Sequence, residues 1–427
     1  MGQTTEINRE DILECALEIG RCMVQSGAEV RRVEDTISRI MKAYGAKSSE
    51  VFSITALVLT TVKWENGTKS TQAKRINGFG TNLRKLECYN ALARYICRNR
   101  PGVEEIQKRL EEIARSRKRT WLDILCYMIS AGALTVFFGG NLLDGLAAGI
   151  LGLFVFFFDQ LLKTATANKL VYTLFACMVT GWLAILFVSL GLGDHLDKIM
   201  MGDIMLFIPT LALCNSLKDM LHGDILTGVY RSIEAILIAA AIAGGFFIAN
   251  VTLGGGYVNV VEQGPNTVHL AVQTITAIIG SVGFSVFFHI ERDKIWTAAV
   301  GGAIAWLVLL LASNIVENLF LANAIAAIAV CFYSEMAARI LKAPANIFLI
   351  PAVIALLPGK DFYQAVAALV NGDIQQFYLE GEATFTTLLG IEVGFLIAFI
   401  MFTKTYGFFR EGVERYKYLK WMHKSTK

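Results

Sequence analysis

Charged side chains set inside apolar stretches are the residues of this chain that could do chemistry. The stretch 223–237 reads GDILTGVYRSIEAIL and carries Asp224, Arg231 and Glu234. An ionised side chain at the centre of a membrane helix costs about 2.5–3.5 kcal/mol on insertion scales, so it persists where a partner or a water-filled cavity accommodates it. Arg231 and Glu234 are three residues apart, share one helix face and can pair. Asp224 lies two turns before Arg231 on the same side. The set reads either as an ion pair that holds one helix to its neighbour or as a face that binds an anion or an amino acid. Glu392 occupies the place matching Glu234 in a second copy of the same pattern, with Leu389 where the arginine would stand. It is the less obviously paired carboxylate and the better candidate to carry a proton; Glu234 is the alternative.

Two prolines mark a second kind of site. Pro209 and Pro351 each follow an isoleucine in a short apolar segment. Each removes a backbone donor and frees carbonyl groups, which a membrane tolerates only inside protein or beside a cavity. Asn215, Lys218 and Asp219 follow the first proline; Gly359, Lys360 and Asp361 follow the second. They read as helix-end caps or as a pair of matching gates, and Asn215 joins Pro209 and Pro351 among the candidate substrate contacts.

These residues fall into a duplicated frame. ALTVFFGG at 133–140 returns as GFSVFFHI at 283–290. IPTLALCNSLKD, ending at Asp219, returns as IPAVIALLPGKD, ending at Asp361. Gly223, Asp224, Ile233 and Glu234 return as Gly381, Glu382, Ile391 and Glu392. Ten apolar segments are expected, near 122–138, 142–162, 168–190, 199–217, 223–250, 266–288, 293–313, 318–338, 342–358 and 381–403. Most reach the ~20 residues that span a bilayer. Five segments per copy force the second copy to enter the membrane upside down, a signature common in secondary transporters. The expected fold is therefore an all-α polytopic membrane protein with two inverted five-helix repeats, preceded by a small cytoplasmic α+β domain. The expected divisions are 1–119, 120–260 and 261–427.

Composition agrees with that division. The chain is 55% hydrophobic, above the ~45–50% usual for soluble domains. Residues 1–121 hold 22 Lys+Arg against 15 Asp+Glu and residues 122–427 hold 17 against 21, so a basic, soluble-looking region precedes an apolar one. Helices are expected near 8–26, 28–44, 80–99 and 103–118. The stretch 48–75 reads as two strands with a turn at Asn66-Gly67. Lys and Arg concentrate on one set of loops and in the tail, placing both termini in the cytoplasm. The connection 359–380 reads as an amphipathic helix on the outer surface.

Several function classes drop out. The first histidine is His195, so no histidine-based hydrolytic triad exists in 1–119. No Gly-x-x-x-x-Gly-Lys-Ser/Thr loop supports ATP-driven transport. The eight cysteines form no Cys-x-x-Cys pair, which speaks for free thiols and against a metal site. Basic residues alternate with glutamates instead of forming a stripe, so nucleic acid is not an expected partner. The reading is not an enzyme, and no cofactor is expected. A channel is the rival class, disfavoured because the ionisable residues stand singly and not in rings. A membrane-bound sensor using the N-terminal domain is the other.

GAEVRRVEDT, ALVLTTV, KRINGFGTNLRKL and SEMAARILKAPANIFLIPAVIALLPG together resemble the threonine/serine exporter (ThrE) family, over about residues 10–403. The resemblance includes both an N-terminal ThrE domain and a smaller C-terminal ThrE-type domain that some relatives carry as a separate chain. It implies a cell-membrane exporter of small hydrophilic metabolites driven by the proton motive force, with threonine and serine, or dicarboxylates such as succinate, as substrates. Where the family usually reads Pro-Leu-Val-Pro-Gly, this chain has Ala355-Leu356-Leu357-Pro358-Gly359. On this reading Arg231 holds a substrate carboxylate as a fork. The expected partners are that substrate, protons and the lipid bilayer, with self-association left open.

Overall fold

In the computed structural model the described residues are 9–425, apart from 78–79, 116–119, 164–167, 210–211, 213–214, 217–218, 221–222 and 254–269. The N-terminal region runs α1 (Arg9–Gln25), α2 (Val30–Ala43), β1 (Ala46–Ile54), β2 (Leu57–Trp64), β3 (Lys69–Arg75), α3 (Leu83–Asn99) and α4 (Val103–Arg115). Three strands replace the two expected. The chain reverses at Thr55–Ala56 as well as at Asn66–Gly67, giving an antiparallel sheet in the order β1-β2-β3. A β-rich stretch of this length exceeds the 3–10 residues usual for one strand, so an extra turn is the compact solution. Alternation along β2 buries Val58, Thr60, Val62 and Trp64. Val58, Val62 and Trp64 share one core with Leu13, Leu17, Ile37 and Ile40 from α1 and α2.

The apolar region runs α5 (Thr120–Phe137), α6 (Leu142–Lys163), α7 (Lys169–Ser189), α8 (Leu196–Ile204), α9 (Ile225–Leu253), α10 (Leu270–Phe287), α11 (Arg292–Ile315), α12 (Leu319–Ile340), α13 (Asn346–Val353), α14 (Gly359–Val370) and α15 (Ile374–Ser425). Among the described residues seven helices are long and apolar enough to cross a membrane: α6, α7, α9, α10, α11, α12 and the 374–402 part of α15. The other three expected segments give shorter helices. α5 is apolar over 121–137. α8 ends at Ile204, ahead of Pro209. α13 continues as a 3-10 turn to Leu356 and then bends by 50° into α14, which would make an eighth crossing if the pair is one span. A proline stands at each break, Pro209 after α8 and Pro358 at the bend, and proline cannot donate to the helical ladder. Pro351, expected to interrupt its segment, instead lies inside α13 without ending it.

α14 differs from the surface helix expected at 359–380. Tyr363, Ala365 and Ala368 are buried. The Tyr363 hydroxyl donates to Met200 Sδ of α8 at 3.6 Å.

The duplicated sequence has duplicated local geometry. In the first VFF echo the helix ends at Gly139, with φ 103°; Gly139 N–H donates to Val136 O (3.0 Å) and Gly140 N–H to Thr135 O (3.0 Å). In the second, His289 takes the same left-handed place at φ 59°, with bonds to Val286 O (2.8 Å) and from Ile290 to Ser285 O (2.9 Å). A histidine thus fills a conformation that suits glycine. In both halves the first helix packs on the second (α5–α6, α10–α11) and the third on the fifth (α7–α9, α12–α15), while α5 and α10 pack on each other. The third and fifth helices meet through glycine. A Cβ at Gly245 would lie 2.4 Å from Leu174 O, and one at Gly394 would lie 2.5 Å from Ala324 O. Small residues let membrane helices approach this closely.

Candidate functional site

A turn of the N-terminal region builds one wall of the site. α1 ends with Gly27 at φ 97°, and Ala28 N–H returns to Met23 O at 3.0 Å. This left-handed turn leaves the carbonyls of Gly27 and Ala28 pointing away from α1. Membrane-region side chains take them up: Asn215 Nδ2 donates to Gly27 O (3.1 Å) and Arg231 Nη2 to Ala28 O (2.9 Å). Asp219 Oδ1 accepts the first free N–H of α2, from Val30, at 3.1 Å. A carboxylate at a helix N-terminus satisfies an orphan donor and complements the dipole. The other oxygen of Asp219 pairs with Arg231 Nη1. Asn346, at the start of α13, donates to Glu29 Oε1 (3.0 Å) and to Asn215 Oδ1 (3.2 Å). Both broken segments therefore hold the same four-residue turn, and Asp219 and Arg231 are almost fully buried beneath it.

Asp219 lies in the connection before α9, outside the spans. Burial pushes its carboxyl up to about 6, with Glu29 and Asp224 adding to the rise; Arg231 and the Val30 N–H oppose it.

Beneath the turn is a cavity of about 220 Å³. Gly27 and Thr81 line it from the N-terminal region, and Leu206 to Pro209 and Asn215 from the broken segment. Arg231 and Glu234 line it from α9, Asp159 and Tyr127 from α6 and α5, and Lys169, Tyr172 and Thr173 from α7. Lys169 Nζ pairs with Glu234 Oε1 at 2.9 Å. The hydroxyls of Tyr127 and Tyr172 donate to the two oxygens of Asp159 at 3.1 and 3.3 Å. Two cations, two carboxylates, an amide and two phenols thus face one small space. Such a set can hold an ammonium and a carboxylate of one small molecule at the same time.

Four of the residues expected from sequence meet here: Pro209, Asn215, Arg231 and Glu234. The expected Arg231–Glu234 pair does not form; Arg231 reaches back to Asp219 and Glu234 across to Lys169. A buried carboxylate plus a carbonyl acceptor satisfy the guanidinium better than one half-buried neighbour on the same helix. Asp224 is elsewhere, in a cleft with Arg31, Glu34 and Asp35. Pro351 is buried in α13, its carbonyl accepting from Ser281 Oγ at 3.1 Å. Glu392 is half-buried in α15 and does not line the cavity. Lys360 and Asp361 open α14, next to the Met205 side chain that faces Gly359. Lys218 lies outside the described residues.

Three charged residues at or near the site escaped the sequence reading, as did Tyr127, Tyr172 and Asn346. Asp159 is a lone carboxylate at the end of an apolar run, and Lys169 stands at the start of the next. Asp203 in α8 is fully buried, and neither of its oxygens has a hydrogen-bond partner among the described residues. It sits three residues before the cavity-lining Leu206. The signal was the one that exposed Arg231, a single charge within an apolar stretch. Among the described residues no group of three or more His, Cys, Asp or Glu could hold a metal ion.

The comparisons with known proteins bear on this arrangement. The chain is 24% identical over 386 residues to the threonine/serine exporter of Corynebacterium glutamicum, covering 84% of this chain and 76% of that one. It is 25% identical over 243 residues to an Escherichia coli protein named "Probable succinate transporter subunit YjjP", covering 56% of this chain and 93% of that one. A Mycobacterium tuberculosis protein named "Probable threonine/serine exporter" is 20% identical over 416 residues, 93% of this chain and 78% of the relative. No solved structure matches. Residues 14–253 match the threonine/serine exporter model ThrE, and residues 273–401 match a second model, described as Threonine/Serine exporter, ThrE. With more than half its length inside the first model, the chain belongs to the threonine/serine exporter family.

Proposed function

We propose that this protein exports a small zwitterionic amino acid of the threonine or serine type, by alternating access and at the expense of a proton gradient. The observation that carries this reading is the charge balance of the cavity. Two cations and two carboxylates suit a zwitterion, which brings one charge of each sign. A dicarboxylate would place two negative charges against a balanced wall. Arg231 and Lys169 serve the substrate carboxylate, Glu234 and Asp159 its ammonium, and the tyrosines and Asn215 its hydroxyl. Arg231 changes partner during the cycle, leaving Asp219 and Ala28 for the substrate as the turn at 27–30 withdraws.

The proton is carried by Glu234 or Glu392, as the sequence suggests, or by Asp203. An ionised carboxylate without a partner is costly in apolar surroundings, so a residue like Asp203 gains from exchanging a proton with the cavity. Lys218 with Asp219 and Lys360 with Asp361 act as gates on opposite sides.

Ten segments in two inverted repeats remain the architecture that best fits. Both VFF echoes end their helices alike, both halves pair the same helices, and the fourth segment of each is interrupted beside a proline, Pro209 in the first and Pro358 in the second. Region 1–119 lies in the cytoplasm with both termini. It closes the cavity from that side and performs no catalysis. The repeats are 120–260 and 261–427, and the protein sits in the cell membrane. The C. glutamicum relative's name supports the substrate class. The E. coli relative's name keeps succinate as the second substrate to try, and the word "subunit" in it makes self-association worth measuring.

Counterflow in proteoliposomes tests the reading. Threonine or serine inside should accelerate entry of labelled substrate, since only a carrier shows this trans effect. Succinate should do so much less. Equal flux with and without internal substrate would mean a channel. Acceleration by succinate alone would overturn the zwitterion assignment.

A further inference from the structure

A second and larger cleft, of about 660 Å³, lies where the N-terminal region meets the C-terminal part of α12, the start of α13 and the middle of α15. Arg31, Arg32 and Arg39 line it from α2, and Arg94 and Arg98 from α3. Their spacing is helical: 32 and 39 stand two turns apart on α2, and 94 and 98 one turn apart on α3, so each helix presents a row. Three carboxyl groups face them, from Glu29, Asp35 and Glu335. Asp35 is engaged by Arg39 at 3.7 Å, and Glu29 accepts from Asn346. The side chains of Arg32, Arg94 and Arg98 make no hydrogen bond or ion pair to a described residue. Five guanidinium groups against three carboxylates leave the cleft with an excess of positive charge.

The floor and the adjoining surface are of another character. Ala345 and Phe399 close the base. Beside them the membrane helices expose large apolar side chains, including Met336 and Ile340 on α12 and Ile400 and Met401 on α15. Arg339 lies over the Phe402 ring at 4.1 Å, adding a further cation to this rim. A guanidinium-rich cleft beside an exposed apolar helix surface matches a molecule with a phosphate at one end. Guanidinium groups bind phosphate oxygens in paired hydrogen bonds, and basic pockets at the ends of membrane helices are a recognised place for anionic headgroups.

We infer that this arginine cleft is a binding site for a phosphate-bearing anion, distinct from the transport cavity. Two sources supply such a group at this surface: the headgroup of an anionic lipid, whose acyl chains would lie along α12 and α15, or a soluble organic phosphate. The cleft shares Glu29 with the turn that covers the transport cavity, so its occupant sits against the same turn. The assignment does not depend on which substrate is carried.

The test uses the full-length protein in phosphatidylcholine nanodiscs, comparing wild type with the Arg94→Gln/Arg98→Gln double variant and with Arg32→Gln. Native mass spectrometry reads retention of added phosphatidylglycerol, and calorimetry reads binding of pyrophosphate. The replaced side chains are unpaired, so the melting temperature in neutral lipid should match wild type and show that the fold is kept. Phosphatidylglycerol retained by wild type and lost at least tenfold in the double variant, with pyrophosphate unbound, assigns the lipid headgroup. Pyrophosphate bound by wild type and lost in the same variant assigns a soluble phosphate. Arg94→Lys/Arg98→Lys should fall between, because a point charge does not reproduce the fork. Binding of both probes that is equal in wild type, the double variant and Arg32→Gln would overturn the proposal.

Discussion

The fourth and fifth segments of the first half and their counterparts in the second half carry nearly the same sequence signals but have different surroundings. In the first half the chain past Pro209 opens onto a charged cavity, and Asn215, Asp219 and Arg231 reach out of the apolar region to hold the turn at 27–30. In the second half Asn346 to Leu357 are buried throughout, Pro351 O is satisfied by Ser281, and Glu392 stands apart from the cavity. The difference begins with one residue. Arg231 has a guanidinium where the matching Leu389 has an alkyl chain, and only the first can draw a carboxylate and a carbonyl into its neighbourhood. The duplicated sequence thus has one charged, cavity-lining face and one packed face.

The largest effect should follow from removing that residue. Arg231→Ala leaves Asp219 buried without its cation, an arrangement that costs about 3–5 kcal/mol where it has been measured in other proteins. Transport should fall to background with the protein still in the membrane. Arg231→Lys should restore little of it. Leu389→Ala, at the matching place, should leave transport near wild type. Uptake of labelled threonine into vesicles separates the three. A wild-type rate for Arg231→Ala would deny the charged face a part in transport.

A smaller and more selective effect is expected at the isolated carboxylates. Asp203→Asn and Glu392→Gln compare one from each half. The variant that has lost the proton carrier should keep substrate-for-substrate exchange. Its export driven by a pH gradient should drop at least about tenfold, equivalent to about 1.4 kcal/mol in the barrier. Side-by-side exchange and pH-driven flux measure this. Full pH-driven export by Glu392→Gln would remove the second half from coupling, and the same result for Asp203→Asn would remove α8.

The smallest effect concerns the docked turn. The Asp219 carboxyl is pushed up to about 6 where it is buried, against an ordinary value near 3.8. Its folded value is raised, so the docked state binds a proton more tightly than an undocked, hydrated one. Docking is therefore favoured as pH falls through 6, and that gain is lost as pH rises above it. By linkage the docking equilibrium should strengthen about tenfold between pH 7.5 and 5. Hydrogen exchange at Val30, corrected for intrinsic rates, should slow accordingly, and Asp219→Asn should flatten the change. Faster exchange at pH 5 than at 7.5 would reverse the assignment of the clamp.

Much of the frame was legible in the chain itself. Periodicity and punctuation placed α1 to α4 within a few residues, because Gly27, Gly45 and Pro101-Gly102 end helices by local backbone chemistry. Apolar runs located the seven described helices long enough to cross a membrane, because a bilayer imposes length and composition on each one separately, while three of the ten expected segments gave shorter helices. The echo of VFF marked a duplicated unit, and its two copies end their helices alike at Gly139 and His289. The extra strand was missed because a turn at Thr55–Ala56 has no glycine or proline to mark it. Pro209, Arg231 and Glu234 were found because a charge or a proline in an apolar run is anomalous by itself, and Asn215 because it follows such a proline. Which partners they take was decided only in three dimensions. Arg231 prefers Asp219 and Ala28 O to Glu234, and Lys169 crosses from α7 to reach Glu234. Asn215 and Asn346, from the two halves, meet on a turn nearly two hundred residues away from the first of them. Sequence spacing fixes neighbours within a helix, whereas burial makes each polar group find a partner wherever packing brings one.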